Sequence, residues 1–137
     1  MSPRVLEIIN LCDLHPGASD ADLARLSDLF GAALPTDYAE LLRYTNGCEG
    51  DLGSNWFNLF SVETACLYNQ KQNDPLYPAW FKLIASNGGG EAHGYDVRTD
   101  PWTLANVPFL FEEQLVRPLA RSIEEFILRL HTRPLFD

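Results

Sequence analysis

The sequence predicts an α+β domain: a mostly antiparallel or mixed sheet of about four to six strands, flanked by N-terminal helices and a C-terminal helix. Amphipathic helical spacing occurs near both ends of the chain, whereas the middle is rich in aromatic and β-prone residues between turn signals. Helices and strands do not alternate as they would in a βαβ protein. The 137 residues suffice for one core, so we treat residues 1–137 as a single domain.

Three helices are predicted in the first third of the chain. The first has an apolar stripe at i, i+3, i+4 and i+7 and ends at His15-Pro16-Gly17. The second begins at Ser19, with Asp22 in the register of a capping box. The third uses Thr36 as its cap and ends at Asn46-Gly47. The stripe of the first helix consists of Val5, Ile8, Ile9 and Cys12.

The middle of the chain predicts strands separated by turns. The strands cover residues 56–62, 80–86, 91–99 and 107–111, and a short helix covers residues 63–70. Asn87-Gly88-Gly89-Gly90 predicts a tight hairpin, because glycine supplies the positive φ that such turns need. Asn73-Asp74-Pro75 and Asp100-Pro101 predict breaks, and Glu49 and Asp51 are expected in a loop.

The last helix has the strongest sequence signal. Ser122 and Glu125 have the spacing of a capping box, and four apolar residues follow helical spacing. Residues 131–134 end the helix with basic groups at its negative pole. The apolar positions are Ile123, Phe126, Ile127 and Leu130.

Charge narrows the classes of partner. The net charge is −9, from 19 acidic and 10 basic residues. Such a field repels nucleic-acid phosphates and anionic lipid headgroups, so neither nucleic acid nor a membrane is an expected partner. The same field attracts basic proteins and raises their encounter rate. Solubility alone would also explain the charge.

The cysteines and the N-terminus indicate a compartment. Cys12, Cys48 and Cys66 are odd in number and form no C-x-x-C motif, which argues against a disulfide framework and a structural zinc site. Glu7 interrupts the short apolar stretch at the N-terminus, and no apolar run approaches ~18 residues. We therefore expect a cytoplasmic protein without a signal peptide or a membrane span.

Three motifs give the chain a family likeness. Leu34-Pro35-Thr36-Asp37-Tyr38, followed by Leu41-Leu42 and Asn46-Gly47, resembles the "LP-x-D/E-Y…FL…NG" signature of the SUKH superfamily, in its Smi/Knr-like branch. Ser86 to Gly90 with Tyr95-Asp96 is similar to that family's glycine hairpin, and Ser122 to Ile127 to its closing helix. The likeness runs from about Ser19 to His131. Residues 1–18 form an extra helix outside it, and Cys48 stands where many members have a second glycine.

This resemblance implies helices around a mixed or antiparallel sheet and a protein-binding function. Bacterial members are commonly immunity proteins that neutralise a toxin, often a nuclease or a deaminase. Fungal relatives act as interaction hubs in cell-wall regulation. The family has no shared catalytic residues or cofactor to carry over, and partner choice varies with the surface.

The residues themselves offer weak signals for chemistry. Glu91, His93 and Asp96 suggest metal ligands, but strand alternation places Asp96 on the face opposite the other two, so we expect no metal. Strand-like sequence follows Gly88 to Gly90, which favours a hairpin over a phosphate loop. Cys48 could be exposed, yet nothing near it is basic enough to activate it as a nucleophile. We expect a protein that is not an enzyme and has no cofactor.

A partner-binding surface is the preferred hypothesis for the polar and aromatic residues. Its candidates are Glu49, Asp51, Trp56, Glu91, His93, Asp96, Trp102, Glu112 and Glu113. Trp102 follows a polar turn and is the best aromatic anchor, whereas Trp80 is expected in the core. Solvated acidic faces would account for the same carboxylates.

Three functions remain open at this stage. The first is an immunity protein that binds a basic toxin domain, as a monomer or a weak dimer, and blocks its substrate groove. The second is a regulatory or scaffold module with several weak partners. The third is a small metal-dependent hydrolase.

Overall fold

A computed structural model describes residues 1–70 and 77–136. This part of the chain forms five α-helices, a 3-10 turn and one sheet of seven strands. The helices are α1 Pro3–Ile9, α2 Asp20–Phe30, α3 Thr36–Tyr44, α4 Val62–Gln70 and α5 Ile123–Thr132, and the 3-10 turn is Glu113–Leu115. The strands are β1 Asp13–Leu14, β2 Cys48–Asp51, β3 Trp56–Leu59, β4 Phe81–Ser86, β5 Glu91–Asp96, β6 Thr103–Pro108 and β7 Arg117–Ala120.

The strands lie in the sheet in the order in which they occur in the chain. Each neighbouring pair is antiparallel, which confirms the predicted α+β class. Among the described residues the seven strands exceed the four to six expected, because β1, β2 and β7 were not predicted. β1 has two residues, β2 contains Gly50 between two carboxylates, and β7 contains Pro118. None of these shows the alternation that identifies a strand.

Several predicted boundaries were wrong by a few residues. The strand at 56–62 ends at Leu59, because Ser61 caps α4: its Oγ accepts a hydrogen bond from the Thr64 N–H at 3.1 Å. The strand expected at 107–111 is instead Thr103–Pro108. Glu49 and Asp51 lie in β2 rather than in a loop. The predicted break at residues 73–75 falls outside the described residues.

The helix signals were mostly correct. Ser19 and Asp22 form the predicted capping box, with hydrogen bonds of 3.1 and 3.4 Å. The first residue of α3 is Thr36 itself, so Thr36 is already helical and cannot cap it as expected. The first helix ends at Ile9, and the Cys12 N–H donates to the Ile9 carbonyl in a tight turn that leads into β1.

The main core lies between α5 and one face of the sheet. All four apolar positions predicted for α5 are at most 1% exposed. The Phe126 ring meets the Phe57 ring of β3 edge-on, at 6.5 Å between centroids. α1 and α3 also contact α5.

α4 lies beside β4 in the region beyond the end of β3. β3 pairs with β4 only through Asn58 and Leu59. Beyond that point the buried Asn69 amide of α4 donates to the Leu83 carbonyl at 2.8 Å and accepts from the Leu83 N–H at 3.1 Å. One side chain thus satisfies backbone groups of β4 that would otherwise be buried without a partner. In the described ranges, no helix combines the length and apolarity needed to cross a bilayer.

Candidate functional site

The motif residues of α3 hold two helices together. The Asp37 Oδ2 atom accepts hydrogen bonds from the Ile123 N–H at 3.0 Å and the Glu124 N–H at 3.4 Å. These N–H groups belong to the first turn of α5 and have no partner within the helix. Asp37 therefore caps a helix 86 residues later in the chain, and its role is structural.

The Asn46-Gly47 motif is structural as well. The Asn46 Oδ1 atom accepts a hydrogen bond from the Val62 N–H at 2.8 Å, at the start of α4. Gly47 has a φ of +86°, and a Cβ added there would lie 2.8 Å from the Ser61 backbone nitrogen. Only glycine fits at this position.

A structural residue that the sequence did not reveal joins the β2–β3 hairpin to the end of α5. Asn55 Nδ2 donates to the Leu130 and Arg133 carbonyls, both at 2.8 Å, and its Oδ1 accepts from the Leu135 N–H at 2.9 Å. A lone asparagine in a turn gives no signal of such distant partners. Asp37 and Asn55 thus hold α5 on the side of the sheet that it covers, so a functional surface is expected on the opposite side of β2 and β3.

Four residues share the uncovered face of strands β1 to β3, and we call them the acidic edge: Asp13, Glu49, Asp51 and Trp56. Antiparallel pairing places Asp13 directly opposite Glu49 and Asp51 directly opposite Trp56. The alternate residues of these strands, such as Cys48 and Phe57, are buried, so this face projects outward. Three sequence candidates are thereby brought together, while Asp13 was missed because its two-residue strand gave no signal.

The acidic edge contains an aromatic anchor. Trp56 is 50% exposed. Its indole lies against the β4–β5 turn, since a Cβ added to Gly88 would be 3.0 Å from Trp56 Cδ1. The ring is therefore supported from one side and open to solvent on the other.

The stretch of chain that contains β2, β3 and α4 lacks basic side chains. Residues 44–70 contain neither Lys nor Arg. The Glu49 carboxylate pairs instead with His15, whose Nε2 atom is 3.2 Å from each carboxylate oxygen. Like charges directly opposite each other, as Asp13 and Glu49 are, destabilise a sheet, so this arrangement is unfavourable for folding alone.

A groove of about 620 Å³ adjoins the acidic edge. It lies between the chain that follows β1, the outward face of β2 and β3, and the first turn of α4. Its polar lining comes from His15, Asn46, Glu49, Asn58, Ser61, Thr64 and Tyr68.

The remaining acidic candidates lie elsewhere. Glu112 and Glu113 are exposed in the connection between β6 and β7. Four strand spacings separate β2 from β6, which is roughly 20 Å. Asp96 is 8% exposed and accepts two hydrogen bonds from the Arg98 guanidinium, at 3.1 and 2.9 Å, and one from the Arg98 backbone N–H at 3.0 Å. The predicted carboxylates therefore form at least two separate regions.

His93 was wrongly predicted to face a partner. It is fully buried in β5, where its ring meets Phe126 at 5.0 Å between centroids. Burial lowers its pKa from 6.5 to about 4, so it is neutral at pH 7. Glu91 lies at the start of the same strand, next to Arg117 and Phe136, in a separate pocket. Among the described residues, no three His, Cys, Asp or Glu side chains are grouped so as to hold a metal ion.

The cysteines and the other tryptophans complete the set of candidates. Cys48 is fully buried, contrary to expectation, and its contact with Cys12 and its burial raise its pKa. Such a thiol is a poor nucleophile at neutral pH. Trp102 is half-buried between Phe30 and Tyr95, at 6.4 and 5.7 Å between centroids. Trp80 is also half-buried, packs on the core, and carries the Arg98 guanidinium 3.4 Å above its ring.

Comparison with known proteins identifies the family. The model of the SMI1 / KNR4 family (SUKH-1) matches residues 17–129, which is well over half of the chain. The match begins just before α2, ends inside α5 and includes every strand from β2 to β7. No curated protein matches the chain. The chain therefore belongs to the SMI1/KNR4 family (SUKH-1), a family of protein-interaction domains.

Proposed function

We propose that this chain is a non-catalytic immunity protein that binds a basic toxin domain through the acidic edge. The observation that carries the proposal is the half-exposed Trp56 directly opposite Asp51, on a surface where residues 44–70 supply neither Lys nor Arg. Family membership supports a protein partner, and the surface supports a basic one.

The mechanism is occlusion. A nuclease that binds a phosphate backbone does so with Lys and Arg, so its substrate groove is positively charged. The net charge of −9 steers such a groove towards this protein, and the acidic edge then occupies the place of the phosphates. Inhibition requires no chemical step, so it is stoichiometric.

Trp56 provides the short-range contribution. Exposed tryptophans are enriched among residues that dominate binding energy, because they bury a large apolar area with few rotatable bonds. The contact with the Gly88 turn holds the Trp56 ring before the partner arrives. Less conformational entropy is lost on binding as a result.

The test begins with the genes adjacent to this one, among which the proposal expects a secreted protein with a C-terminal toxin domain. Purified protein should bind that domain with 1:1 stoichiometry and should abolish its activity at one equivalent. An enzyme that modified the toxin would act at far below one equivalent. The association rate should fall as salt is raised, because charge steering is screened.

Charge reversal distinguishes the two acidic regions. Asp51→Lys should slow association at least tenfold, and Trp56→Ala should speed dissociation. Glu112→Lys is the matched control, because it changes the net charge by the same amount in the distant region. Failure of the neighbouring toxin to bind rejects the proposal for that pair. Several weak partners in place of a single tight one would favour a regulatory or scaffold role.

A further inference from the structure

We propose that the groove beside the acidic edge receives an arginine side chain from the protein partner, which displaces His15 from Glu49. This inference rests on the proposed function and specifies which chemical group the surface recognises. Glu49 belongs to both the groove and the acidic edge, whereas Asp51 and Trp56 lie outside the groove lining and test the acidic edge alone.

The size of the groove fits a short protein segment. A volume of about 620 Å³ is in the range of pockets that bind small molecules, and it exceeds the space that one side chain fills. An extended loop carrying an arginine would occupy it more completely than a single ion would.

One wall of the groove offers hydrogen-bond acceptors. Glu49 and Asn58 are directly opposite each other on β2 and β3, so both side chains lie on the groove face. The Glu49 side chain is 41% exposed. Asn58 makes only a long contact through its Nδ2, 3.5 Å from Ser86 Oγ, and its amide oxygen accepts no hydrogen bond from the residues that the structure describes. A guanidinium group has five N–H donors and matches such a set of oxygens.

Other groove residues are fixed in place. Asn46 is held by the Val62 N–H, and the Ser61 Oγ accepts from the Thr64 N–H. The groove therefore retains its shape without a ligand, which lowers the entropic cost of filling it.

His15 occupies the position that we assign to the incoming cation. Its Nε2 atom lies 3.2 Å from both oxygens of Glu49, and its side chain is 46% exposed. The imidazole reaches Glu49 through the single atom Nε2, whereas a guanidinium gives two parallel, charge-assisted hydrogen bonds to a carboxylate. The exchange replaces a weak contact with a stronger one. The His15 backbone stays anchored, because its N–H donates to Thr45 Oγ1 at 2.9 Å.

A capped tripeptide provides a test that needs no knowledge of the partner. Acetyl-Gly-Arg-Gly-amide is titrated into the ¹⁵N-labelled protein and followed by NMR. We expect saturable shifts of the amides between Asn46 and Thr64, with a dissociation constant on the order of millimolar, to which the ion pair and the other groove contacts both contribute. The citrulline analogue has the same shape without the charge, and it should cause no saturable shift.

Variants test each half of the proposal. Glu49→Gln should weaken the arginine peptide about tenfold, while Glu63→Gln, a carboxylate in α4 outside the groove lining, should leave its affinity unchanged. His15→Ala should strengthen binding about threefold, because it removes the competing contact. Equal binding of the citrulline peptide, an unaltered affinity in Glu49→Gln, or weaker binding in His15→Ala would each overturn the proposal.

The cognate toxin separates this inference from the proposed function. A toxin whose binding is unchanged by Glu49→Gln but weakened by Asp51→Lys would reject the groove site and leave the proposed function intact. If the groove binds the arginine peptide but the protein binds no toxin, the groove site stands and the proposed function is rejected.

Discussion

The side of the sheet that α5 covers and the acidic edge differ in what their polar side chains do. Under α5, polar side chains such as Asp37 and Asn55 satisfy backbone groups of distant elements. On the acidic edge, Asp51 and Trp56 project into solvent, and Asp13 faces the like charge of Glu49. The first region has the hydrogen bonding that a stable fold requires, and the second has an arrangement that stability alone would not favour.

The contrast shows where the family signal comes from. The motifs that resemble the family contain Asp37, Asn46 and Gly47, and each of these has a structural role. Family membership therefore follows from residues that build the architecture, whereas the partner-binding residues that we propose are outward ones that no motif contains. Variants of structural and outward residues test that division through the free energy of unfolding.

Gly47→Ala should cause the largest loss of stability. The new Cβ would meet the Ser61 nitrogen at 2.8 Å and the Leu59 oxygen at 2.9 Å, and the φ of +86° is itself unfavourable for alanine. We expect about 4 kcal/mol, measured by urea unfolding. Gly31→Ala is the matched control, because φ is +75° there and nothing lies within 4 Å of the added Cβ. Its cost should be about 1 kcal/mol, and equal losses at both glycines would contradict the packing argument.

Acidification should destabilise the protein through His93. Its folded pKa is about 4 and its unfolded value is 6.5, so between these pH values only the unfolded chain takes up the proton. Stability therefore falls as the pH drops from 6.5 to 4, by about 3 kcal/mol from this group. The pH dependence of unfolding in His93→Gln should lack this contribution, whereas His15→Gln should retain it. Parallel wild-type and His93→Gln curves would show that His93 is not buried as described.

Asp37→Ala should cost about 2 kcal/mol, because two N–H groups of α5 lose their acceptor. Thermal or urea unfolding measures the change. Asp20→Ala serves as the control: Asp20 pairs with Arg43 with its own side chain 91% exposed, so its loss should cost under about 0.5 kcal/mol. Similar values for the two variants would remove the distinction between motif and surface carboxylates.

Asp13→Asn should have the smallest effect and the opposite sign. It relieves the repulsion opposite Glu49 and should stabilise the fold by about 0.3 kcal/mol, an effect that salt suppresses. Glu112→Gln, in the distant acidic region, is the control and should change stability less. Affinity for the toxin should fall in Asp13→Asn alone. A loss of stability in Asp13→Asn would mean that the acidic edge serves the fold after all.

Sequence patterns predicted the elements with the most regular spacing. The α5 stripe and the Ser19–Asp22 capping box were correct because both are local. β1 and β2 were missed because β1 has only two residues, and β2 has four residues that include Gly50. Neither strand is long enough to show a clear alternation. Three of the four residues of the acidic edge, Glu49, Asp51 and Trp56, were candidates from the sequence. That they lie next to one another could not be predicted, because it depends on the cross-strand register. His93 was misplaced because strand alternation identifies which residues share a face, but not whether a helix covers that face.

The sequential strand order also bears on how such a domain can diversify. Each hairpin of β2 to β7 sets its register between segments that are adjacent in the chain. A substitution on the outward side of one hairpin therefore needs no compensating change in a remote strand. A lineage of these domains can exchange its surface chemistry hairpin by hairpin while the same scaffold persists.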